Sequence, residues 1–349
     1  MISILLVVIG FSLMIFVHEL GHFLMALRVG IKVEVFSLGM GPKVFSFKKN
    51  GIEYRLSAVP LGGYVKMLGE DPSEPVKGEK GEFSSQPAGN RFKVLISGAA
   101  LNYLLGLILI TIVFMAGYPV ITTKIGGLVD GYPAKKAGIQ VGDKVLTIDG
   151  KPVSDWEVLT DMMHKKTAGD VKVIVDRNGT KMDFTVKPVV KETKDILGNN
   201  VKIAQVGIMN SDERSYLKYG PVKSLVMGAK KQFNFAVMTY QGLWSMITGR
   251  LPFKENVSGP VGIFKIMTAA AKIGIIPLLL ITALVSTILG ILNILPIPPL
   301  DGGLILFLGI EKLRGEPLSK KAQEAALQAG WIFFIALMLF ATYNDILRK

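Results

Sequence analysis

The chain has 349 residues, half of them hydrophobic, with 40 basic and 27 acidic side chains and a formal net charge of +13. It has no cysteine, which excludes a disulfide framework and any cysteine-based metal site, so a transition metal would need histidine and carboxylate ligands. The basic excess would suit nucleic acid or a membrane surface, but no nucleic-acid recognition motif accompanies it. We therefore expect a lipid bilayer to be the partner of these charges, and no nucleic acid.

Apolar residues gather in four long runs, the distribution that a bilayer requires of spanning helices. The runs cover residues 1–27, 94–121, 273–308 (interrupted by Pro and Gly) and 329–347 (shortened by Asn344 and Asp345). The first has no basic residue before Arg28 and no small-residue cleavage site, so it predicts a spanning helix and not a signal peptide. Arg28 and Lys32 follow it, which favours an N-terminus outside and the next loop in the cytoplasm. Four spans then return the C-terminus to the outside.

The predicted cytoplasmic loop, residues 28–93, carries eleven Lys or Arg residues. Within it, residues 52–67 alternate apolar and polar side chains on either side of Pro60 and Gly62-Gly63. This pattern predicts two short strands that pair with each other as a β-hairpin.

A soluble β-rich domain is predicted over residues 122–210. Apolar and polar positions alternate in residues 171–176 and 182–186, on either side of the turn signal Arg177-Asn178-Gly179. Long domains cross a membrane regardless of their charge, so its lysines are compatible with a location outside the cell.

Residues 221–249 are apolar but carry Lys223, Lys230 and Lys231 near their start. They predict an amphipathic helix at the membrane interface, with a fifth span as the alternative. The fold class is thus a multi-pass α-helical membrane protein with about four spans, a cytoplasmic hairpin and an outer β-rich domain. We divide it into a membrane part with the hairpin, the β-rich domain, a linker with the interfacial helix, and a second membrane part: residues 1–121, 122–210, 211–272 and 273–349.

The end of the first apolar run carries the sequence His18-Glu19-Leu20-Gly21-His22. The i, i+4 spacing puts both imidazoles on one helix face, where they can bind one metal ion, and offsets Glu19 so that it can act on a water beside that ion. Two of the three histidines of the chain lie in this motif. The alternative, two histidines packed in a helix bundle, is weakened because polar side chains at membrane depth are costly and usually functional.

A hydrolytic zinc site keeps three protein ligands, so a third ligand is needed. His164 lies in the β-rich domain and is interpreted as an ordinary surface histidine. Asp301 is the better candidate, because an unpaired carboxylate in apolar sequence would cost about 2.5–3.5 kcal/mol near the bilayer centre. Prolines and glycines break the helix around it, and such backbone is tolerated at that depth only inside protein or beside a water-filled cavity. The alternative is that Asp301 merely ends a helix at the interface.

These motifs together resemble the site-2 proteases, and most of all their bacterial branch. The resemblance covers nearly the whole chain. Besides the histidine motif it rests on residues 59–67 (VPLGGYVKM), Gly98 with Asn102, residues 258–262 (SGPVG) and residues 293–303 (NILPIPPLDGG). Two positions depart from the family pattern: Ala99 stands where proline is usual, and Leu304 where histidine is frequent.

The resemblance implies an intramembrane zinc endopeptidase with one Zn²⁺ per chain. His18, His22 and Asp301 would bind the zinc, and Glu19 would be the general base. The hairpin would dip into the membrane and hold the substrate as an added strand. The implied substrate contacts are Asn102, Asn293, Pro60, Gly62, Gly63 and Tyr64.

The resemblance also implies substrates and a location. The substrates would be single-span membrane proteins, namely anti-sigma factors and remnant signal peptides. The enzyme would lie in the bacterial plasma membrane, with the hairpin in the cytoplasm and the β-rich domain outside.

The β-rich domain resembles a single PDZ module. The landmarks of that family occur in order: Ile125-Gly126-Gly127-Leu128, Pro133-Ala134, Ala137-Gly138-Ile139, Gly142-Asp143 and Ile148-Asp149-Gly150. Such a module would either exclude substrates with large folded ectodomains or bind a newly exposed C-terminus by strand addition. The alternative is a generic β-domain without peptide binding.

Two other functional classes stay open. A transporter would also use broken helices and buried polar residues, but it would show paired repeats, and none is visible. A membrane-anchored PDZ scaffold would keep only a vestigial metal site. Metal content separates the scaffold from the enzyme, and cleavage of a single-span substrate separates the enzyme from the transporter.

Overall fold

A computed structural model describes residues 2–70 and 78–347, so residues 71–77 of the predicted cytoplasmic loop lie outside the described residues. The helices are α1 (Ile2–Arg28), α2 (Ala88–Ala116), α3 (Pro133–Lys136), α4 (Trp156–His164), α5 (Pro221–Ile247), α6 (Phe253–Asn256), α7 (Pro260–Ile273), α8 (Ile275–Asn293), α9 (Asp301–Arg314) and α10 (Lys320–Leu347). The strands are β1 (Val33–Lys49), β2 (Ile52–Met67), β3 (Tyr118–Ile121), β4 (Ile125–Leu128), β5 (Lys144–Ile148), β6 (Lys151–Pro152), β7 (Val171–Arg177), β8 (Thr180–Val186), β9 (Val189–Lys194), β10 (Asn200–Gln205), β11 (Ile208–Asn210) and β12 (Arg214–Leu217).

Four helices of the described chain are long and apolar enough to cross a membrane: α1, α2, α8 and α10. This confirms the prediction of a membrane protein with four candidate spans. The third predicted run is divided, because α8 ends at Asn293 and α9 begins only at Asp301. The prolines between them lack the N–H donor that a continuous helix needs. The second span begins and ends earlier than predicted, since α2 covers Ala88–Ala116 and β3 follows Gly117, whose φ is +134°.

The chain forms two compact units. The first unit comprises Met1–Val113, Pro221–Thr239 and Lys254–Lys349, and it contains α1, α8, α10 and nearly all of α2. The second unit comprises Phe114–Gly220 and Tyr240–Phe253, and it contains the predicted β-rich domain.

In the first unit, β1 and β2 form a hairpin around Asn50-Gly51, where both residues have positive φ, 52° and 82°. Asn-Gly is the strongest sequence signal for such a two-residue turn. Phe36, near the start of β1, pairs with Tyr54 and also with Val65. The two short strands predicted in residues 52–67 form one strand, β2, and their predicted pairing with each other is wrong, because both halves pair with β1.

Both halves of β2 can pair with β1 because β1 bends at Gly39 and Gly41, whose φ values are +90° and +83°. A Cβ atom at Gly39 would lie 2.7 Å from the Val59 carbonyl oxygen, so only glycine allows this approach. The bend turns residues 43–49 back to pair with residues 52–57. Residues 63–67, which we call the edge segment, pair only with β1 among the described strands.

Helix α5 packs a polar residue against the spanning helices of the first unit. Gln232 is 2% exposed and donates hydrogen bonds through Nε2 to the Tyr103 carbonyl oxygen of α2 (2.7 Å) and to Thr287 Oγ1 of α8 (3.1 Å). The predicted helix is thus present and joined to α2 and α8. Its position at the membrane interface stays a prediction.

The polar end of α10 is buried. Asn344 and Asp345 are each 3% exposed, and the Asp345 carboxylate accepts a hydrogen bond from the Gly262 N–H (2.6 Å) in the first turn of α7. The N-cap residue Gly259 provides no side-chain cap. The SGPVG segment therefore begins a helix whose free N–H groups are capped by a carboxylate from α10.

In the second unit, four antiparallel strands form a sheet in the order β6-β5-β7-β8. The predicted strands 171–176 and 182–186 are confirmed as β7 and β8, around Asn178-Gly179 with φ values of 51° and 86°. The core residues include Ile125, Ile148, Leu159, Val171 and Val175, none more than 1% exposed. This unit is a β-rich domain with a conventional hydrophobic core.

Candidate active site

The last part of α1 carries the histidine motif and lies very close to α2. A Cβ atom at Gly21 would lie 2.4 Å from the Ser97 carbonyl oxygen, and one at Gly98 would lie 2.3 Å from His22 Nε2. A side chain at either position would push the helices apart or displace an imidazole. Small residues allow membrane helices to approach in this way.

The structure brings Asp301 against both imidazoles. Its Oδ2 atom lies 3.3 Å from His18 Nε2 and 3.4 Å from His22 Nε2, and the two Nε2 atoms are 3.2 Å apart. Asp301 Oδ2 is buried and has no hydrogen-bond partner of suitable geometry. Within residues 2–70 and 78–347, this is the one group of three or more His, Cys, Asp and Glu side chains whose ligand atoms all lie within 4.8 Å of one another.

The triangle of ligand atoms has the size that zinc requires. In a tetrahedral site with bonds of about 2.0–2.1 Å, neighbouring ligand atoms are about 3.3–3.4 Å apart. The three distances in the structure are 3.2, 3.3 and 3.4 Å. Two imidazole lone pairs and a carboxylate oxygen that point at one another repel unless a proton or a metal cation lies between them. The residues present therefore fit a zinc ion.

Glycines hold the backbone that carries Asp301. A Cβ atom at Gly302 would lie 2.2 Å from the Leu295 carbonyl oxygen, and one at Gly303 would lie 2.5 Å from the Pro298 nitrogen. At Gly330 of α10 an added Cβ would be 2.0 Å from the Pro298 carbonyl oxygen. The proline-rich segment thus folds tightly against the start of α9 and against α10, and this fixes the position of the carboxylate.

Glu19 lies beside the edge segment of β2. Its carboxylate accepts a hydrogen bond from the Val65 main-chain N–H. A Cβ atom at Gly63 would lie 3.2 Å from Glu19 Cγ. Further along, Ser12 Oγ donates a hydrogen bond to the Pro60 carbonyl oxygen at 2.7 Å. The strand therefore runs along α1, and its margin lies at the Glu19 carboxylate.

Helix α2 contacts the outer nitrogen of both imidazoles. His22 Nδ1–H donates a hydrogen bond to the Val94 carbonyl oxygen at 2.9 Å, and Ser97 Oγ donates to the same carbonyl at 2.6 Å. Asn102, which is 1% exposed, has its Nδ2 atom 3.4 Å from His18 Nδ1. The sequence could not identify Val94, because its contribution is a main-chain carbonyl and leaves no trace in the side-chain type.

The other predicted substrate residues have contacts away from the three ligand atoms. The Tyr64 hydroxyl accepts a hydrogen bond from Arg55 Nη1 at 3.1 Å. A Cβ atom at Gly62, whose φ is +127°, would lie 2.5 Å from Met40 Cγ. Asn293 is the half-buried last residue of α8. Contact of these residues with a substrate stays a prediction. His164 ends α4 in the second unit and is not in the three-ligand group.

One contact that ties the site together was not predicted. Arg91, in the first turn of α2, donates hydrogen bonds from both Nη atoms to the Glu311 carboxylate of α9, one of them at 3.0 Å. Both side chains are largely buried, and a bidentate pair of this kind fixes geometry. Asp301 lies at the other end of the same helix, α9. The sequence offers no signal that could join two charges 220 positions apart.

Comparison with known proteins identifies the family. Residues 6–337 match the family described as Peptidase family M50. The chain belongs to this family, the site-2 proteases. A candidate zinc metalloprotease of Fusobacterium nucleatum is 35% identical over 352 residues, with 98% of both chains covered. Another from Mesorhizobium japonicum is 33% identical over 352 residues, with 96% of both chains covered. The zinc metalloprotease RasP of Oceanobacillus iheyensis is 27% identical over 427 residues, which cover 100% of this chain and 99% of RasP.

Membership in the M50 family confirms the predicted enzyme class and metal. The chain is a membrane-embedded zinc metalloendopeptidase, and Zn²⁺ is its cofactor. This decides against the transporter and the scaffold.

Proposed function

We propose that His18, His22 and Asp301 hold the zinc and that Glu19 is the general base for hydrolysis of peptide bonds in membrane-embedded chains. The observation that carries the proposal is the triangle of ligand atoms, with sides of 3.2, 3.3 and 3.4 Å. When bound, zinc polarises the scissile carbonyl and makes a water molecule more acidic. Glu19 then takes a proton from the attacking water and passes it to the leaving amide nitrogen.

The geometry around Glu19 supports the role of a base. Glu19 is outside the three-ligand group but adjacent in sequence to His18, so its carboxylate is available for proton transfer. The Val65 N–H restricts its orientation by donating to the carboxylate. A base must lie within hydrogen-bond reach of the proton that it removes, and a fixed carboxylate meets this condition.

The experiment compares Glu19→Gln with Asp301→Ala by zinc content and by cleavage of a single-span substrate in liposomes. Glu19→Gln should abolish cleavage and retain about one zinc per chain, because it removes a base and no ligand. Asp301→Ala should lose zinc and cleavage together. Loss of zinc from Glu19→Gln would make Glu19 a ligand, and full zinc in Asp301→Ala would remove Asp301 from the set.

The edge segment of β2 is our proposed substrate platform. Residues 63–67 pair with β1 on one side, and the other margin borders Glu19. A transmembrane substrate hides its carbonyls in helical hydrogen bonds, so it must be extended before hydrolysis. An added strand replaces those hydrogen bonds and presents the scissile bond to Glu19.

Cysteine cross-linking tests the platform directly, because the chain has no cysteine of its own. A single cysteine at Lys66 should cross-link to every second position of a cysteine-scanned substrate, since side chains alternate along a strand. The matched control is Lys48→Cys, on the far margin of the same sheet. Equal cross-linking at both positions, or a period of three to four residues, would contradict strand addition. Val65→Pro is a poorer test, because it also removes the hydrogen bond to Glu19.

For the second unit we propose a PDZ module that acts as a size filter for substrates. Helix α4 and residues 204–208 line a cavity of about 210 Å³, with Trp156, Leu159, Met163, Val206 and Ile208 among its walls. The cavity lies between a helix and an extended segment, as the peptide groove of a PDZ module does, and this supports the proposal. A tethered domain excludes large folded ectodomains whatever that groove binds.

The pairing of β3 with β12 suggests a clean deletion. The Thr122 N–H donates a hydrogen bond to the Glu213 carbonyl oxygen at 3.0 Å, so a short glycine link can replace residues 123–212. Cleavage of trimmed substrates should persist in this variant, and cleavage of substrates with long ectodomains should rise. Loss of cleavage of trimmed substrates, with zinc retained, would make the module a receptor instead.

The proposed substrates are single-span membrane proteins, including anti-sigma factors and remnant signal peptides, and the proposed location is the bacterial plasma membrane. The likeness to the site-2 proteases supports both. In spheroplasts, a membrane-impermeant thiol reagent should label a cysteine placed at Lys191 in the second unit and spare one at Lys48 in β1. The opposite pattern would invert the proposed orientation.

A further inference from the structure

Asn102 lies between α2, α8 and the first zinc ligand, in surroundings that leave half of its amide without a partner. It is 1% exposed, its Nδ2 atom is 3.4 Å from His18 Nδ1, and its Oδ1 atom has no hydrogen-bond partner. Its main-chain carbonyl accepts a hydrogen bond from Ser286 Oγ of α8 at 2.8 Å, which anchors this turn of α2.

The position of the proton on the His18 imidazole determines which atom of the Asn102 amide can form a hydrogen bond with it. His18 Nε2 is the atom that faces Asp301 and His22, so a bound metal uses the lone pair on Nε2. The proton of the neutral imidazole is then on Nδ1, which becomes a donor. An amide NH₂ group cannot accept that hydrogen bond, but an amide oxygen can. A half-turn of the amide exchanges Oδ1 and Nδ2 and moves no other atom.

We infer that Asn102 is a positioning residue for the zinc ligand His18, accepting the His18 Nδ1–H through Oδ1. The inference rests on the proposed ligand set. It makes the two imidazoles equivalent, because His22 Nδ1–H already donates to the Val94 carbonyl oxygen at 2.9 Å. Such outer partners fix the tautomer and the ring orientation of a metal-binding histidine.

One face of α2 carries the hydrogen-bond partners of both imidazoles. Val94 and Asn102 are eight residues apart on α2, and Gly98 lies midway, where a Cβ atom would be 2.8 Å from His18 Cε1. An i, i+4, i+8 spacing keeps all three residues on one side of a helix. On α1 the two histidines follow the same spacing, so each imidazole meets one partner on α2.

The inference also separates two tasks for Asn102. Once Oδ1 serves His18, the NH₂ group takes the buried position that Oδ1 now occupies, where it has no protein partner. The substrate contact that the family resemblance implies would use this group. Asn102→Asp keeps an acceptor for His18 and removes the NH₂ group. Asn102→Leu removes both at similar volume. Metal binding and catalysis therefore respond differently to the two variants.

The experiment measures zinc affinity by chelator competition on the full chain in detergent, together with the visible spectrum of the cobalt-substituted protein. Asn102→Leu should bind zinc about 10–100-fold more weakly and change the cobalt spectrum, whereas Asn102→Asp should stay within a few-fold of the natural chain. Thr111→Val, a polar-to-apolar change on the same helix, is the matched control and should change neither.

Natural zinc affinity and an unchanged cobalt spectrum in Asn102→Leu would overturn the inference. If that variant does not fold, Asn102→Ala replaces it with the same expectation. His18→Ala distinguishes a failure of the proposed ligand set from a failure of the proposed role of Asn102. Full zinc in His18→Ala would overturn the ligand set itself, whereas zinc lost from His18→Ala but kept in Asn102→Leu would overturn only the role of Asn102.

Discussion

The two units of the chain both bury apolar side chains, but they differ in the large apolar side chains that they expose and in the polar ones that they bury. In the first unit the buried positions include Ser224, Ser286 and Thr287, each at most 1% exposed, whereas Leu5 and Phe333 are 60% and 56% exposed. In the second unit the buried positions are mostly valine, leucine and isoleucine, as in a water-soluble protein. The exposed apolar side chains of the first unit fit a surface in contact with lipid, where close approach and internal hydrogen bonds contribute more to helix association than hydrophobic burial does.

Because of this difference, we expect different substitutions to destabilise the two units. A helix pair without a hydrophobic driving force depends on small residues at its contact, so adding one carbon atom there should do more harm than removing several from the lipid-facing surface. A hydrophobic core shows the reverse sensitivity.

The largest expected effect comes from Gly98→Ala at the contact of α1 with α2. The new Cβ would lie 2.3 Å from His22 Nε2, so the imidazole must move out of the ligand triangle. We expect zinc affinity to fall by about 100-fold or more, measured by chelator competition. Gly309→Ala is the matched control, because a Cβ there meets no atom within 4 Å and alanine favours a helix. Natural zinc affinity in Gly98→Ala would show that the contact is looser than described.

A second prediction compares apolar truncation in the two units. Ile148→Ala in β5 should cost about 2–5 kcal/mol, because this side chain is fully buried in the core of the second unit. Leu5→Ala, at a position that is 60% exposed, should cost less than about 1 kcal/mol. Hydrogen–deuterium exchange of β5 in the full chain measures the first cost, and denaturant unfolding measures the second. Similar costs at both positions would erase the contrast between the units.

The sequence predicted the candidate spans and some strands, but not the contacts between distant segments. Long apolar runs and alternating strands are local patterns, so the four candidate spans and strands β7 and β8 could be found without a structure. Pairing is not local: residues 52–57 and 63–67 both pair with β1, and Arg91 meets Glu311 across most of the chain. Asn50-Gly51 was a usable signal for the true hairpin turn and was missed.

In the active site, too, the sequence predicted features with a local pattern and missed contacts between distant segments. The spacing of His18 and His22 on one helix predicted two ligand positions, and the cost of a carboxylate in apolar sequence pointed to Asp301. The support from Val94 could not be predicted, because any residue supplies a carbonyl. The placement of Asn102 beside His18 needed the crossing of two helices, which no local pattern encodes.

A third prediction concerns pH and the second unit. Asp143 is 1% exposed, and its burial opposes ionisation, but two hydrogen bonds from Arg177 (2.7 and 2.8 Å) and one from the Gln140 N–H hold its pKa below the ordinary value. Because the folded-state pKa is depressed, the stabilisation is present above the unfolded pKa of about 4 and is lost as the pH falls through the folded value. Asp143→Asn should therefore cost about 1–3 kcal/mol at pH 7, and the difference should shrink in acid. A difference that is constant from pH 7 to pH 3 would contradict this.

The smallest expected effect is at Gln232 in α5. Its Nε2 atom donates two hydrogen bonds, but its Oε1 atom is buried without a partner, which offsets part of the gain. We expect Gln232→Leu to change the stability of the first unit by less than about 1 kcal/mol, in either direction, by denaturant unfolding in detergent. Gln232→Ala, which leaves a hole between α2, α5 and α8, should cost more. If the leucine variant cost more than the alanine variant, the hydrogen bonds would outweigh packing at this site.

X-ray absorption at the zinc edge shows whether two imidazoles and one carboxylate hold the catalytic zinc. The chain has three histidines, of which two lie in the motif, and it has no cysteine. The spectrum should show two imidazole ligands with oxygen in the remaining positions, and one imidazole fewer in His22→Ala. It should be unchanged in His164→Ala. Three imidazoles in the natural chain, or a spectrum that His22→Ala leaves unchanged, would exclude this ligand set.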